Sequence, residues 1–254
     1  SNDNGYRNIA IGREALFFNS TAFDNTAIGY RALYSNTNIS DNIAIGDSAL
    51  YTQSFVTPFS SQNVAIGNSA LFMNNPTLIT NGYLNTAVGN RALRNNTTGN
   101  ANTANGYSAL YSNTTGGNNT ASGYNALLNN TTGGLNTAIG MNALLSNNTG
   151  AFNTALGYFA GMDGATHSQC TFIGASSTLT TPRVNVTALG YNIVDAQCTG
   201  NNQVLLGNTA ITFIRAAVNS ITAYSDARFK TNIKDNVAGL DFILKLKPVT
   251  YNVR

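Results

Sequence analysis

The stretch TANGYSALYSNTTGGNNTASGYNALLNNTTGGLNTAIG, residues 103–140, repeats one unit of sequence at a fixed distance. Its glycines Gly106, Gly123 and Gly140 recur at every seventeenth position, and this spacing runs through most of the chain. Such a period indicates one structural unit stacked on itself, so the sequence predicts a solenoid. Pentapeptides of the type Asn-x-Ala-x-Gly end at Gly12, Gly29, Gly46, Gly67, Gly89, Gly106, Gly123, Gly140 and Gly157, with weaker copies at Gly174, Gly190 and Gly207.

Three positions of the repeat hardly vary. Asn stands four residues before the glycine and Ala two residues before it in nine successive copies, and Leu follows four residues after it in eight. The pentapeptide is predicted to be a short β-strand, because apolar and polar positions alternate. Asn, Ala and Gly then share one face, which must be tight because a larger side chain would meet a neighbouring coil or chain. The leucines are predicted to stack into the main apolar ladder.

The rest of each coil consists of turns. The Gly-x-x-Ala-Leu stretch is either a second short strand or a single helical turn, and we favour the strand because an isolated helical turn is costly. The asparagine column is predicted to form an amide ladder between coils, with a glycan- or ice-binding face of Asn and Thr as the alternative. The Asn- and Thr-rich turns also create sequons at Asn96, Asn113, Asn118, Asn130 and Asn147.

Composition excludes several classes of function. Charged residues make up 9% of the chain and hydrophobic residues 43%. Residues 1–224 hold seven arginines and seven acidic residues, and the first lysine is Lys230. A neutral rod has no electrostatic footprint for nucleic acid, and no apolar run is long enough for membrane insertion. The change of composition near residue 224 predicts a domain boundary there.

No residue cluster in the repeats predicts a cofactor, a metal site or an enzyme active site. The lone histidine, His167, is expected to be solvated in a loop. The distance along the chain from Cys170 to Cys198 is not a whole number of repeats. Two unpaired, packed thiols are therefore favoured over a disulfide, which stays open as the alternative.

Two coils carry extra residues, at 51–62 and 72–84, that include several aromatic residues and prolines. Insertions in a solenoid become loops on one face, and that face is often the binding face. These loops are the candidate contact with a glycan or protein receptor. The alternative is that they are variable loops without a ligand.

The pentapeptides Asn-x-Ala-Ile-Gly at residues 8–12, 25–29, 42–46 and 63–67 resemble the head repeats of trimeric autotransporter adhesins. The resemblance covers about residues 4–210, although the common adhesin repeat is shorter than the one here. It implies a homotrimer of left-handed β-rolls whose role is attachment.

The tail, YSDARFKTNIKDNVAGLDFILKLKPVTYNVR at residues 224–254, resembles the start of the intramolecular chaperone of endosialidase-type phage tail spikes and fibres. Members of that family trimerise the fibre and then cut themselves at Ser-Asp with a Ser/Lys pair. Carried over, Ser225 is the nucleophile, Lys230 its base, and Asp226 follows the scissile bond. A lysine can act as such a base where desolvation lowers its pKa. Residues 237–246 fit a short amphipathic helix.

The sequence thus predicts an all-β, homotrimeric, left-handed β-solenoid, with one coil for each copy of the repeat and a short helix-containing C-terminal segment. Its parts are a repeat shaft at 1–215, a connector at 216–224 and a chaperone-like segment at 225–254. The predicted function is a structural fibre, a viral tail fibre or spike shaft that attaches to a host surface. The alternative is a bacterial surface adhesin or extracellular filament. Either location, virion or cell surface, is extracellular.

Overall fold

The structure, a computed structural model, describes residues 4–212. These residues wind into a solenoid in which each coil contributes one short strand to a 12-stranded parallel sheet. Strand pairing joins equivalent positions of successive coils, such as Ala104 with Ala121 and Ala121 with Ala138. The predicted β-solenoid, with one coil for each copy of the repeat, is therefore confirmed.

Strand order along the large sheet follows the chain, and β3 and β5 form a separate two-stranded sheet. The strands are β1 (Ile9–Ile11), β2 (Thr26–Ile28), β3 (Ile39–Ser40), β4 (Ile43–Ile45), β5 (Phe59–Ser60), β6 (Val64–Ile66), β7 (Thr86–Val88), β8 (Thr103–Asn105), β9 (Thr120–Ser122), β10 (Thr137–Ile139), β11 (Thr154–Leu156), β12 (Thr171–Ile173), β13 (Val186–Leu189) and β14 (Gln203–Leu206). Residues 4–212 contain no helix, and the predicted helix at 237–246 lies outside the described residues.

The core of the solenoid is built from the alanine and leucine columns. From Ala27 to Ala155 the strand alanines are 0% exposed, and so are the leucines from Leu33 to Leu144. Both columns belong to one continuous apolar cluster inside the coils. The tight alanine face therefore packs within its own chain, and it is not available as a surface between chains.

The predicted second strand at Gly-x-x-Ala-Leu is wrong, because this stretch forms turns. In the coil of Gly29, the third and fifth residues of the stretch, Arg31 and Leu33, have left-handed φ angles of 56° and 50°. The amide of Ala32 donates to the carbonyl of Gly29, and that of Asn36 to Leu33. A strand cannot contain left-handed residues at alternate positions, and neither can a right-handed helical turn.

These turns still bond from coil to coil. The amide of Leu110 donates to the carbonyl of Ala126 at 2.9 Å, and that of Ser112 to Leu128 at 3.0 Å. The hydrogen-bond network of the sheet thus continues around the corner, and buried backbone groups are satisfied outside the strands as well.

The glycine column is required by conformation and by space. Gly123 has a φ of 142°, a value that residues with a side chain rarely adopt. A Cβ atom on Gly123 would lie 2.5 Å from the carbonyl oxygen of Gly140 in the next coil. Successive coils therefore approach each other more closely at this corner than any side chain would allow.

The asparagine column forms the predicted amide ladder. Asn119 accepts the backbone amide of Asn136 at 3.0 Å on its side-chain oxygen. Its side-chain nitrogen donates to Gly133 at 2.9 Å and to Asn102 at 3.1 Å. Asn119 thus connects three coils, and the column is buried from Asn25 to Asn153. The predicted structural role is confirmed for this column, which leaves no exposed asparagine face on it.

The regular pattern changes near residue 161, where a glycine replaces a leucine and a phenylalanine replaces an alanine. Gly161 stands where the leucine ladder would continue, and Phe172 replaces the strand alanine of the next coil. A Cβ on Gly161 would lie 2.8 Å from the Phe172 ring. Phe172 is 0% exposed, so its ring occupies the volume that the missing leucine leaves.

The prediction that His167 is solvated is wrong, because this residue is 0% exposed. Its Nδ1 accepts the amide of Arg183 at 2.9 Å, and its Nε2 lies 2.9 Å from the carbonyl oxygen of Leu179. The ring is therefore neutral, with the proton on Nε2. It occupies the space next to Gly164, where a Cβ atom would overlap the imidazole.

Candidate functional site

The outer face of the sheet carries a continuous column of side chains, here called the outer strip. They precede the repeat glycine, point away from the buried alanines, and are partly or largely exposed. Ile139, Leu156 and Ile173, for example, are 43%, 46% and 39% exposed. The members of the outer strip are Ile11, Ile28, Ile45, Ile66, Val88, Asn105, Ser122, Ile139, Leu156, Ile173, Leu189 and Leu206.

A row of exposed apolar side chains that runs from coil to coil is unusual on a surface that faces only water. Neighbouring parallel strands lie about 4.8 Å apart, so the outer strip is a row of closely spaced aliphatic side chains. Exposed apolar patches of more than a few hundred Å² mark interaction surfaces. Because side chains alternate along a strand, the residue between the alanine and the glycine lies on the face opposite to both.

Aromatic side chains flank part of the outer strip, on the residue that follows the repeat glycine. Tyr107 and Tyr124 are stacked, with ring centroids 5.2 Å apart and planes inclined by 10°. Their exposed fractions are 42% and 50%. They lie on the two coils in which the outer strip itself is polar, at Asn105 and Ser122.

The first insertion, residues 51–62, is anchored rather than loose. Phe59 and Ser60 form β5, which pairs in parallel with β3. Buried Gln53 donates to the Ser61 hydroxyl at 2.7 Å, and Ser61 donates to the side-chain oxygen of Asn42 at 2.6 Å. Val56 at the tip is 90% exposed. The insertion is therefore a fixed protrusion that presents an apolar tip.

The second insertion, residues 72–84, lies on the adjacent coil. Asn81 accepts the backbone amides of Thr77 and Leu78 at 3.0 and 3.2 Å, which closes a compact turn. Leu78 and Ile79 are each 59% exposed. Neither insertion contains an Asp, Glu, Lys or Arg. The two insertions thus present an uncharged surface with exposed apolar side chains.

An aromatic ladder was missed in the sequence. Stacked rings follow the leucine column one residue later, with centroids 5.1 Å apart between Tyr34 and Tyr51 and 4.9 Å apart between Tyr51 and Phe72. The Arg94 guanidinium continues it, 4.9 Å from the Phe72 centroid. The residue types in this column vary, so only the constant distance from the leucine identifies it. Because stacking covers the ring faces, the ladder stabilises coils and offers no ring face for a sugar.

Most of the sequon asparagines are inaccessible. Asn96, Asn113, Asn130 and Asn147 are 0% exposed. Each donates its side-chain amide to the preceding asparagine of a second ladder, for example Asn113 to Asn96 at 2.7 Å. Asn118 is exposed. The buried asparagines therefore hold turns together, as the turn composition indicates.

Within residues 4–212, no group of three or more His, Cys, Asp or Glu side chains is placed to hold a metal ion. The same residues contain no helix with the length and apolar character needed to span a membrane. Cys170 and Cys198 are buried free thiols. Burial raises the pKa of the Cys170 thiol above its usual value, which favours the neutral, unreactive form.

The predicted cleavage residues, Ser225, Asp226 and Lys230, lie outside the described residues, as do the connector at 216–224 and the chaperone-like segment at 225–254. Their roles stay predictions. The site that the structure does describe is a pair of surfaces, the outer strip and the uncharged insertions.

Comparison with known families gives one match. Residues 225–254 match the family model described as the chaperone of endosialidase. This match supports the resemblance that the tail residues indicated. Comparisons with curated proteins and with solved structures gave no significant match. The likeness of the repeats to adhesin heads therefore stays a resemblance.

Proposed function

We propose that this chain is the shaft of a homotrimeric fibre, of the type found in phage tails, that attaches to a host surface and carries an assembly segment at its C-terminal end. The observation that carries the proposal is the combination of two features in one chain. The solenoid exposes an outer strip that is apolar in every described coil except those of Asn105 and Ser122, and residues 225–254 match a family of fibre chaperones. In such an assembly the protein is extracellular, on the virion.

The partner that fits the outer strip is a second copy of the same chain. The strip repeats once per coil, about every 4.8 Å, and a partner must have the same axial repeat to contact every coil in the same way. Another copy of the chain has this repeat. Three copies around one axis place the three strips against each other, and the resemblance to trimerising fibre chaperones supports this number.

The assembly proposal is tested by removing the chaperone-like segment. The full chain and a chain ending at residue 224 are produced in parallel, and their masses are measured under native conditions. We expect trimers from the full chain, and monomers or aggregates when the shortened chain is made alone. Equal trimer yield from both chains would contradict a role of residues 225–254 in assembly.

Self-cleavage between Ser225 and Asp226 is the second part of the proposal. Lys230 accepts the proton of a Ser225 hydroxyl, whose oxygen attacks the Ser225 carbonyl of a neighbouring chain; the Asp226 amine leaves with the proton, and water then hydrolyses the ester. Ser225→Ala or Lys230→Ala should therefore leave the chain uncut while the shaft still assembles. Intact mass of freshly made full-length protein is the measurement. If the parent is never cut after Ser225, the segment acts in trimer formation alone.

Attachment is proposed to use the insertions at 51–62 and 72–84, because they protrude, are anchored and expose Val56, Leu78 and Ile79. The absence of charge favours a neutral glycan or protein surface over a polyanion. The triple variant Val56→Ser, Leu78→Ser, Ile79→Ser should lose binding to host cells and keep its trimer mass. Thr115→Ser with Thr132→Ser, on other exposed turns, is the control that should bind normally. Normal binding by the triple variant would contradict this assignment.

A further inference from the structure

A trimer built on the outer strip has a problem of axial register. The coils are nearly identical, so a shift of one chain by one coil, about 4.8 Å, recreates most contacts. The large sheet keeps its regular pairing beside both insertions, as in Ile43 with Val64 and Val64 with Thr86. The insertions therefore leave the strip itself periodic. A feature of the strip itself must therefore make one axial register more stable than the registers shifted by one coil.

The outer strip has one interruption within the described residues, at Asn105 and Ser122 on adjacent strands β8 and β9. Nothing in their own chain requires polar residues there. The alanines beside them, Ala104 and Ala121, are 0% exposed as in other coils, and the strands pair in the usual register. Among residues 4–212, the side chains of Asn105 and Ser122 have no hydrogen-bond partner. Both therefore keep their hydrogen-bonding capacity for groups outside the chain.

We infer that Asn105 and Ser122 form a polar key that fixes the axial register of the fibre; this inference rests on the proposed trimer. With three chains in register, the three Asn105 amides meet in one layer and the three Ser122 hydroxyls in the next. Amides and hydroxyls both donate and accept, so like groups satisfy each other across the axis.

A shift of one coil breaks this arrangement. Asn105 of one chain then faces Ser122 of the next, which is tolerable, but Ser122 faces Ile139 and Val88 faces Asn105. Polar groups buried against aliphatic side chains lose their hydrogen bonds with water and gain none. A single polar layer in an otherwise apolar interface is a known means of selecting register.

The register has a consequence for assembly size. A shifted chain leaves one coil of apolar strip uncovered at each end of the trimer. An uncovered end can recruit another chain, so shifted association is open-ended, whereas association in register closes at three. Loss of the polar key should therefore produce assemblies larger than trimers.

The test replaces both polar residues, as Asn105→Ile with Ser122→Ile, in the full chain. Isoleucine is the residue of the neighbouring strand β10 at the same position, so each coil should still fold. Parent and variant both also carry Ser225→Ala, so that residues 225–254 stay attached; they are unfolded in denaturant and refolded, and the distribution of native masses is measured. We expect a trimer from the parent and at least a tenfold larger fraction above trimer mass from the double variant.

Two controls distinguish a loss of axial register from a general increase in hydrophobic association. Thr115→Ile with Thr132→Ile adds apolar area on exposed turns away from the strip, and should reassemble like the parent. Asn105→Ser keeps a polar layer and should also give trimers. The inference is overturned if the double Ile variant gives only trimers, or if it matches the Thr-to-Ile control. A parent that is not a trimer would contradict the proposed function instead. Should the double variant fail to fold, Asn105→Val with Ser122→Val, which uses the residue of the neighbouring strand β7 at this position, carries the same expectation.

Discussion

At the scale of single residues, the chain depends on positions where the backbone takes unusual conformations. Leu110 has a φ of 54° and yet is fully buried. A left-handed leucine costs roughly 1–3 kcal/mol of strain, which the burial of its side chain, worth about 1.5–3 kcal/mol, offsets. Leucine is retained because the corner needs a large apolar group that points inward. The sequence predicted a strand for the Gly-x-x-Ala-Leu stretch, because local preferences do not show that side-chain burial can offset the strain of a left-handed leucine.

Gly123→Ala should strongly destabilise the solenoid. The φ of 142° disfavours any side chain, and the added methyl group would lie 2.5 Å from the Gly140 carbonyl oxygen. We expect a loss of at least ~2 kcal/mol of unfolding free energy, measured by thermal or denaturant unfolding. Gly200→Ala is the matched control, because a Cβ there meets nothing within 4 Å. Equal stability of the two variants would contradict the close approach of the coils.

His167 should make stability depend on pH. Burial lowers its pKa below the ordinary value of about 6.5, so between that value and the lowered pKa only the unfolded chain binds the proton. The unfolding free energy should therefore be full above about pH 6.5 and should fall as the pH decreases below it. Denaturant unfolding at intervals from pH 8 to pH 5.5 measures this.

The control for the pH effect is His167→Gln, which retains a hydrogen-bonding side chain but does not titrate in that range. This variant should be less stable than the parent at pH 8 and should lose the decline between pH 6.5 and pH 5.5. A parent whose stability is flat over this range would contradict a neutral, buried imidazole.

At the scale of structural elements, stability comes from columns that run between coils. Strands of three residues are too short to be stable alone, and the leucine, asparagine and aromatic columns connect them. The second asparagine ladder ends where its pattern ends: the side-chain oxygen of Asn147 has no partner among the described residues, because the next coil has Gly164 at that position.

Single asparagine substitutions provide a direct test of the ladder. Asn119→Ala removes the groups that bond to Asn102, Gly133 and the Asn136 amide. The Gly133 carbonyl still accepts from Asn130, but the buried Asn136 amide is left without a partner. Each unsatisfied buried group costs about 1–3 kcal/mol, so the unfolding free energy should fall by at least that amount. Asn129→Ala changes an exposed asparagine outside the ladder, and denaturant unfolding should show a change within ~0.5 kcal/mol. A similar effect of both substitutions would show that the ladder contributes little.

At the scale of the whole molecule, the repeat made the fold predictable. A glycine at a nearly constant spacing and a pentapeptide with fixed Asn, Ala and Gly positions indicate parallel stacking in register, and the structure confirms it. The alternation in the pentapeptide also separated the alanine face from the outer strip. It did not tell whether the tight alanine face packs within the chain or between chains, because both explain a small side chain.

Other features depend on contacts between coils that the local sequence does not indicate. The burial of His167 follows from the space beside Gly164 in a neighbouring segment, and a lone histidine between polar residues carries no sign of it. The aromatic ladder has mixed residue types, so it is visible only once the coils are aligned. Asn105 and Ser122 are visible in the sequence as polar residues at a mostly aliphatic position, but only their place on an exposed apolar strip gives them a proposed role.

The central claim is that three copies of this chain associate through the outer strip. The most direct measurement is the native mass of the full chain, combined with the variant Ile139→Lys with Leu156→Lys, which places six ammonium groups at the proposed axis. The account predicts a parent of three chains, at three times the 26.7 kDa mass of one uncut chain or at the smaller mass of three chains cut after Ser225, and a variant that no longer forms trimers. A stable, folded monomeric parent, or a lysine variant that assembles as well as the parent, would contradict it.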